Sequence, residues 1–199
     1  EWLLHLHDTL PVVFGGRPSA ETDPPNYFID VDNRGAAAAA VRHLVSLGRR
    51  RIATITGPAD MSAASDRLQG WRDALGSAGL PADLEIAGDF TAASGTEGVS
   101  RLLTSAPDVD AIFAANDVMG AAAVTALLDA GRRVPEDVAV VGFDDSSAAL
   151  TARVPLTTVN QPSERMGELM ADTLLRILAG EDAPVSTVVE SRLVRRASA

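Results

Sequence analysis

The chain has 199 residues, 46% of them apolar, enough to bury a core in one domain or two small lobes. Its formal net charge of -10 speaks against its holding nucleic acid by itself, because phosphate binding needs a surplus of basic groups on one face. With no cysteine, and arginine at all 17 basic positions, the chain has no disulfide framework, thiolate nucleophile, Schiff-base lysine or phosphate-loop lysine.

The first residue is Glu1, and "EWLLHLHDTLPVVF" reads as the end of a helix running into a strand, so the chain is expected to begin inside a fold. "LPVVFGG" is a predicted strand. "DNRGAAAAAVRHLVSLG" is a helix that Asp32 or Asn33 can cap and Gly48 can end, and its alanine run at 36–40 suggests close packing against a sheet. The β-branched segment "RRIATITG" predicts a strand over 50–57. In "SDRLQGWRDALGSAG", Leu68, Trp71 and Leu75 recur at helical spacing and place Trp71 in the core.

A weaker strand is expected around 84–86, then the loop "GDFTAASG" and the helix "TEGVSRLLTSA". "DAIFAAND" predicts a strand, "VMGAAAVTALLDAG" a helix capped by Asn116 or Asp117, and "DVAVVGFDD" a further strand. Asp144 or Asp145 is an equally natural cap for a helix after it. "VPLTTVNQP" is extended, "SERMGELMADTLLRILAG" a helix with Ser163 as cap, and "VSTVVESRLVRRAS" a final strand. Alternating β and α segments with nearly continuous apolar strands predict an α/β fold with doubly wound parallel sheets.

In such a sheet ligands bind beyond the carboxyl ends of the strands. Those ends carry Gly15-Gly16-Arg17, Gly57-Pro58-Ala59-Asp60, Asn116-Asp117 and Asp144-Asp145. Neighbouring carboxylates on an extended chain point to opposite sides, so Asp144 and Asp145 make a poor glycosidase pair, and there is no lysine to serve a phospho-acceptor aspartate. As hydrogen-bond acceptors they suit a polyol better. A carboxylate can hold two adjacent hydroxyls, an asparagine amide both donates and accepts, an arginine fork donates in a plane, and a ring such as Phe90 can stack on the C–H face of a sugar. Read from spacing alone, Arg67 is a solvated arginine as readily as a ligand clamp. The three histidines are scattered, so no metal or cofactor is expected.

Taken together, "AIFAANDVMGAAAVTALLDAGRRVPEDVAVVGFDDSSAALTARVPLTTVNQP", "DNRGAAAAAVRHLVSLGRRRIATITGP", "DRLQGWRDALGSAGL" and the terminal "SRLVRRAS" resemble the effector-binding core of the LacI/GalR family of bacterial transcription regulators. The resemblance implies a periplasmic-binding-protein-like pair of α/β lobes with a small effector, a sugar or sugar derivative, in the cleft. It also implies a cytoplasmic homodimer, not an enzyme, that reaches operator DNA only through an N-terminal helix-turn-helix domain outside this chain, with no membrane role. Residues 1–29 with 161–182 would be the remains of a first lobe with uncovered apolar surface, and 30–160 with 183–199 the second lobe. Carried over by position, the ligand-binding residues are Arg67, Phe90, Asn116 and Asp144, while Asp117 and Asp145 look structural. Gly16 stands where many members carry an acid. The alternative is a secreted sugar-binding protein of a transporter, which shares fold and cleft.

Overall fold

The computed structural model describes residues 10–19 and 26–199. The helix end expected at 1–9, with His5 and His7, lies outside the described residues. Fifteen elements follow in chain order: β1 (Val13–Gly15), β2 (Tyr27–Val31), α1 (Asn33–Ser46), β3 (Ile52–Ile55), α2 (Ser62–Ser77), β4 (Glu85–Ile86), α3 (Ala92–Ser105), β5 (Ala111–Ala114), α4 (Asp117–Asp129), β6 (Ala139–Asp144), α5 (Ser147–Thr151), β7 (Thr157–Asn160), α6 (Ser163–Leu178), β8 (Ser186–Val189) and β9 (Arg192–Val194).

The strands form two sheets. One has three parallel strands in the order β1-β2-β8, and the other has six in the order β4-β3-β5-β6-β7-β9, parallel except for β9 against β7. Helices cover both faces of the larger sheet. Along β5, Phe113 faces a core with Val41, Leu44, Trp71 and Leu75 of α1 and α2, while Ile112 faces Val99, Leu102, Val124 and Leu127 of α3 and α4. This is the doubly wound α/β arrangement, and it explains why the central strands β3, β5 and β6 read as unbroken apolar runs: both sides of each are buried. The first of these cores also takes in Ile29 and Val31 of β2 and Met166 of α6, so apolar packing runs on from the larger sheet into the smaller one.

Trp71 is fully buried, as its helical spacing predicts. Asp32 caps α1 by accepting from the Gly35 N–H at 2.8 Å, and Asn116 caps α4 by accepting from the Met119 N–H at 2.9 Å. The alanine run of α1 packs chiefly against α2 and less against the sheet. A Cβ on Gly70 of α2 would stand 2.2 Å from the Arg34 carbonyl oxygen and 2.9 Å from the Ala37 Cβ, so small residues on both helices let the backbones close up.

Several local expectations give way. Helix α3 starts at Ala92, capped by Thr91, so part of the expected loop is already helical. Neither Asp144 nor Asp145 caps α5, whose N-cap is Ser146, and Ser163 lies inside the first turn of α6, with Pro162 at the cap position. The final apolar stretch, read as one strand and placed whole in the second lobe with 183–199, is two strands in different sheets. Ser186–Val189 pairs with β2, Arg192–Val194 pairs with β7, and the chain crosses between them at Glu190-Ser191. The β-branched composition is continuous through the crossing and hides it. Likewise β2 runs to Val31, so the crossing into α1 falls at Asp32 instead of between 29 and 30. Leu175 and Leu178 of α6 and Val188 of β8 are exposed, an apolar face on the three-stranded side.

Candidate functional site

The carboxyl ends of the two sheets face one cavity of about 430 Å³, within the roughly 300–1,000 Å³ range of small-molecule sites. Arg67, Phe90, Asn116 and Asp144 all line it, although they come from four different βα crossovers. Across from them Phe14, Gly15 and Gly16 line it from the end of β1, and Asp30 from β2.

Arg67 lies in the second turn of α2 and is 5% exposed, so the solvated reading fails. Its Nε donates to Asn33 Oδ1 at 2.9 Å, Nη1 to the Ala115 carbonyl at 2.6 Å and to Asp144 Oδ1 at 3.2 Å, and Nη2 to Gln161 Oε1 at 3.2 Å. Of the five N–H donors on a guanidinium, these bonds occupy four. Burial pulls the Arg67 pKa below its ordinary value, and the Asp144 charge opposes that. For Asp144 the same two causes act in the other direction: burial raises its pKa and the adjacent guanidinium lowers it.

Asp144 ends β6 with φ of 107°, and Asp145 follows at 56°. Two successive non-glycine residues in left-handed backbone are strained, a cost met where geometry matters. The turn sends the two carboxylates to different partners. Asp144 lines the cavity, accepts from Arg67 through Oδ1 and has no other side-chain hydrogen bond among the described residues, which leaves its second carboxylate oxygen without a side-chain partner there. Asp145 accepts from Arg196 at 2.5 Å and Asn160 at 3.1 Å, away from it.

Phe90 is the third such residue, with φ of 68°. Its ring packs over Gly57, where an added Cβ would lie 2.2 Å from the ring, so the glycine at the end of β3 makes the seat for the aromatic. Asn116 Nδ2 donates to the Phe90 carbonyl at 3.1 Å while its Oδ1 caps α4. Its amide still has one N–H and one lone pair to offer a ligand.

Asp117 is fully buried and accepts from Thr158 Oγ1 at 2.5 Å and the Ser146 N–H at 2.7 Å. Burial pushes its pKa up to about 6, against the pull of those two hydrogen bonds. It ties β7 and the start of α5 to the start of α4, next to the cavity-lining Asn116 in the chain.

Sequence reasoning missed Asp30 and Gln161. Asp30 is the first-sheet acid at the cavity, but its carboxylate already accepts from the backbone N–H groups of Arg17 and Val31 and from Asn33. It sits in an apolar strand with no motif around it, whereas Gln161 could have been sought in the "NQP" that follows β7. Gly16, with φ of 96°, lines the cavity with no side chain. Among the described residues no group of three or more His, Asp or Glu could hold a metal ion, and no helix is long and apolar enough to cross a membrane.

Residues 41–199 match the family described as periplasmic binding protein-like domain. The chain is 50% identical over 192 residues to the HTH-type transcriptional regulator CelR of Thermobifida fusca, which covers 95% of the chain and 56% of that protein. It is 41% identical over 138 residues to the ribose operon repressor of Escherichia coli, covering 68% of the chain and 42% of the repressor. The chain thus spans about half the length of these curated relatives. Among solved structures, the transcriptional regulator CelR–cellobiose complex superposes with a TM-score of 0.89 at 50% identity, over 94% of this chain and 58% of that one. A putative LacI transcriptional regulator from Bacillus cereus does so with a TM-score of 0.90 at 30% identity, over 99% and 71%. Matched by a family model over most of its length and by named regulators at these identities, the chain belongs to the LacI/GalR family of transcriptional regulators, with their periplasmic-binding-protein-like fold.

Proposed function

We propose that the chain is the effector-binding core of a cytoplasmic transcriptional regulator, and that a sugar, with cellobiose as the first candidate, binds in the cavity between the two sheets. The observation that carries this is the convergence of Arg67, Phe90, Asn116 and Asp144 on one cavity. They supply a planar donor, an apolar face, a donor–acceptor amide and a carboxylate, the set a hydroxyl-rich ligand needs. The cellobiose complex of a regulator 50% identical to this chain supports the choice of first ligand. In this reading residues 10–31 with 162–190 form one lobe and 32–161 with 191–199 the other, and ligand affinity that differs between two lobe arrangements is what moves attached DNA-binding domains.

The working unit is a homodimer. A shallow trough lined by Val118, Ala121, Ala122, Thr125 and Ala148 lies between α4 and α5, with Val118 exposed in it and Leu150 exposed elsewhere on α5. Small side chains beside an exposed valine, on a helix pair that also exposes a leucine, suit close packing against a second copy.

Titration calorimetry of the chain with cellobiose and a panel of mono- and disaccharides tests the reading. One sugar should give a saturable isotherm that Asp144→Ala abolishes. Heat from no sugar in the panel, or an isotherm indifferent to Asp144→Ala, overturns it.

A further inference from the structure

The backbone crosses between the two sheets three times among the described residues: at Asp32, at Gln161-Pro162 and at Glu190-Ser191. Arg67 is bonded to two of these crossings. Through Nε it holds Asn33, whose Nδ2 donates to Asp30 Oδ1 at 3.0 Å and to the Val31 carbonyl at 3.3 Å. The other oxygen of Asp30 accepts from the Arg17 N–H at 3.1 Å, just past the end of β1. An unbroken chain of hydrogen bonds therefore runs from the cavity arginine, on the larger sheet's side, to β2 of the smaller sheet and to the segment that follows β1. Asp30, Asn33 and Arg67 are 7%, 2% and 5% exposed, so water does not substitute easily for any link.

Through Nη2 the same guanidinium holds Gln161, whose own N–H donates to the Asp144 carbonyl at 3.2 Å. Gln161 precedes α6, the helix that packs on β1 and β2. The only guanidinium hydrogen left without a partner among the described residues is on Nη2, beside the bond to Gln161. A ligand oxygen that takes a hydrogen bond from Nη2 thus competes with, or tightens, the contact that sets the second crossing.

We propose that Asn33 and Gln161 are positioning residues that link the cavity arginine to the two inter-sheet crossings, so that one side chain both grips the ligand and fixes the angle between the sheets. This rests on the cavity being the effector site, but the mechanical half does not need a ligand. Bistable elements biased through shared hydrogen bonds are how local contacts become domain motions. Asn33 is suited to the task because its amide accepts from the arginine and donates to the aspartate, which neither a carboxylate nor an aliphatic side chain can do together.

The absence of cysteine makes the test direct, since paired cysteines introduced at Ser105 in α3 and Glu181 after α6 take spin labels without background. Distances between the labels are measured by pulsed electron resonance, first with no ligand and then with cellobiose. Asn33→Leu and, separately, Gln161→Leu should broaden the ligand-free distance distribution, and Gln161→Glu, which keeps an acceptor for Nη2, should restore the parental width. In calorimetry the leucine variants should bind cellobiose roughly 10-fold more weakly. Should Asn33→Leu not fold, Gln161→Leu, on a half-exposed residue, carries the same readout. Parental distance distributions in folded leucine variants overturn the proposal. A parental chain that binds no sugar, with broadened leucine variants, overturns the effector reading and leaves the link intact.

Discussion

The guanidinium carbon of Arg67 stands 3.6 Å from the centroid of the Phe143 ring. Phe143 is fully buried in β6, so the charged fork rests on the larger sheet's core while its edge meets Asp144, the next residue along the strand. A cation over an aromatic face, paired and hydrogen-bonded at its rim, is held in one orientation. Arg67→Lys should therefore behave as a disruptive change. A lysine ammonium cannot reproduce the planar fork, and breaking a buried hydrogen-bonded charge costs about 3 kcal/mol. Urea unfolding of the variant should show a loss of that order, and a midpoint equal to the parent's would refute the network as a stabilising unit.

Asp144 plays a different part. Its side chain is about a third exposed, and its single side-chain partner among the described residues is Arg67. Asp144→Asn should lower affinity for the bound sugar by roughly 10- to 100-fold, the worth of a charge-assisted hydrogen bond, with a smaller effect on stability than Arg67→Lys. Calorimetry paired with urea unfolding separates the two, and equal losses in both would argue against a ligand contact.

Gly57→Ala probes the aromatic without touching it. The new methyl would overlap the Phe90 ring and force it off its seat. Because Phe90 is only half-buried, stability should change by about 1 kcal/mol or less, while sugar affinity falls about 10-fold through loss of the stacking face. Unchanged affinity would mean that the ring does not meet the ligand.

Asp117 makes stability depend on pH in an unusual direction. Its carboxyl titrates at about 6 in the folded protein against 3.8 for the free group, so between those values the folded state holds the extra proton. The contribution is fully present below pH ~4 and is lost as pH rises through about 6, a swing of about 3 kcal/mol by linkage at ~1.36 kcal/mol per unit. Asp117→Asn should flatten the urea midpoint between pH 4 and 7 relative to the parent. A variant that keeps the full slope would place its origin in another group.

The proposed dimer face carries its own test. Leu150 is 62% exposed on α5, the helix that supplies Ala148 and Thr151 to the alanine-lined trough. Leu150→Glu should shift sedimentation from dimer to monomer with no loss of sugar binding, since the residue lies outside the cavity. A parent that sediments as a monomer at micromolar concentration would remove this surface from consideration.

By itself the sequence determined the alternation of strands and helices, the burial of Trp71, two helix caps to within one residue (Asp32 or Asn33, Asn116 or Asp117), and the concentration of polar groups at strand ends. Each of these is local: a period, a cap or an apolar run is written within a few residues. The fate of 186–194 was decided elsewhere, because a crossing between sheets changes strand partners without changing β propensity, and only pairing with β2 on one side and β7 on the other divides it. The state of Arg67 was likewise invisible in its neighbours. Its four acceptors come from Asn33, Ala115, Asp144 and Gln161, 34 to 94 residues away, and no pattern within a helix tells a solvated arginine from one that long-range folding has surrounded.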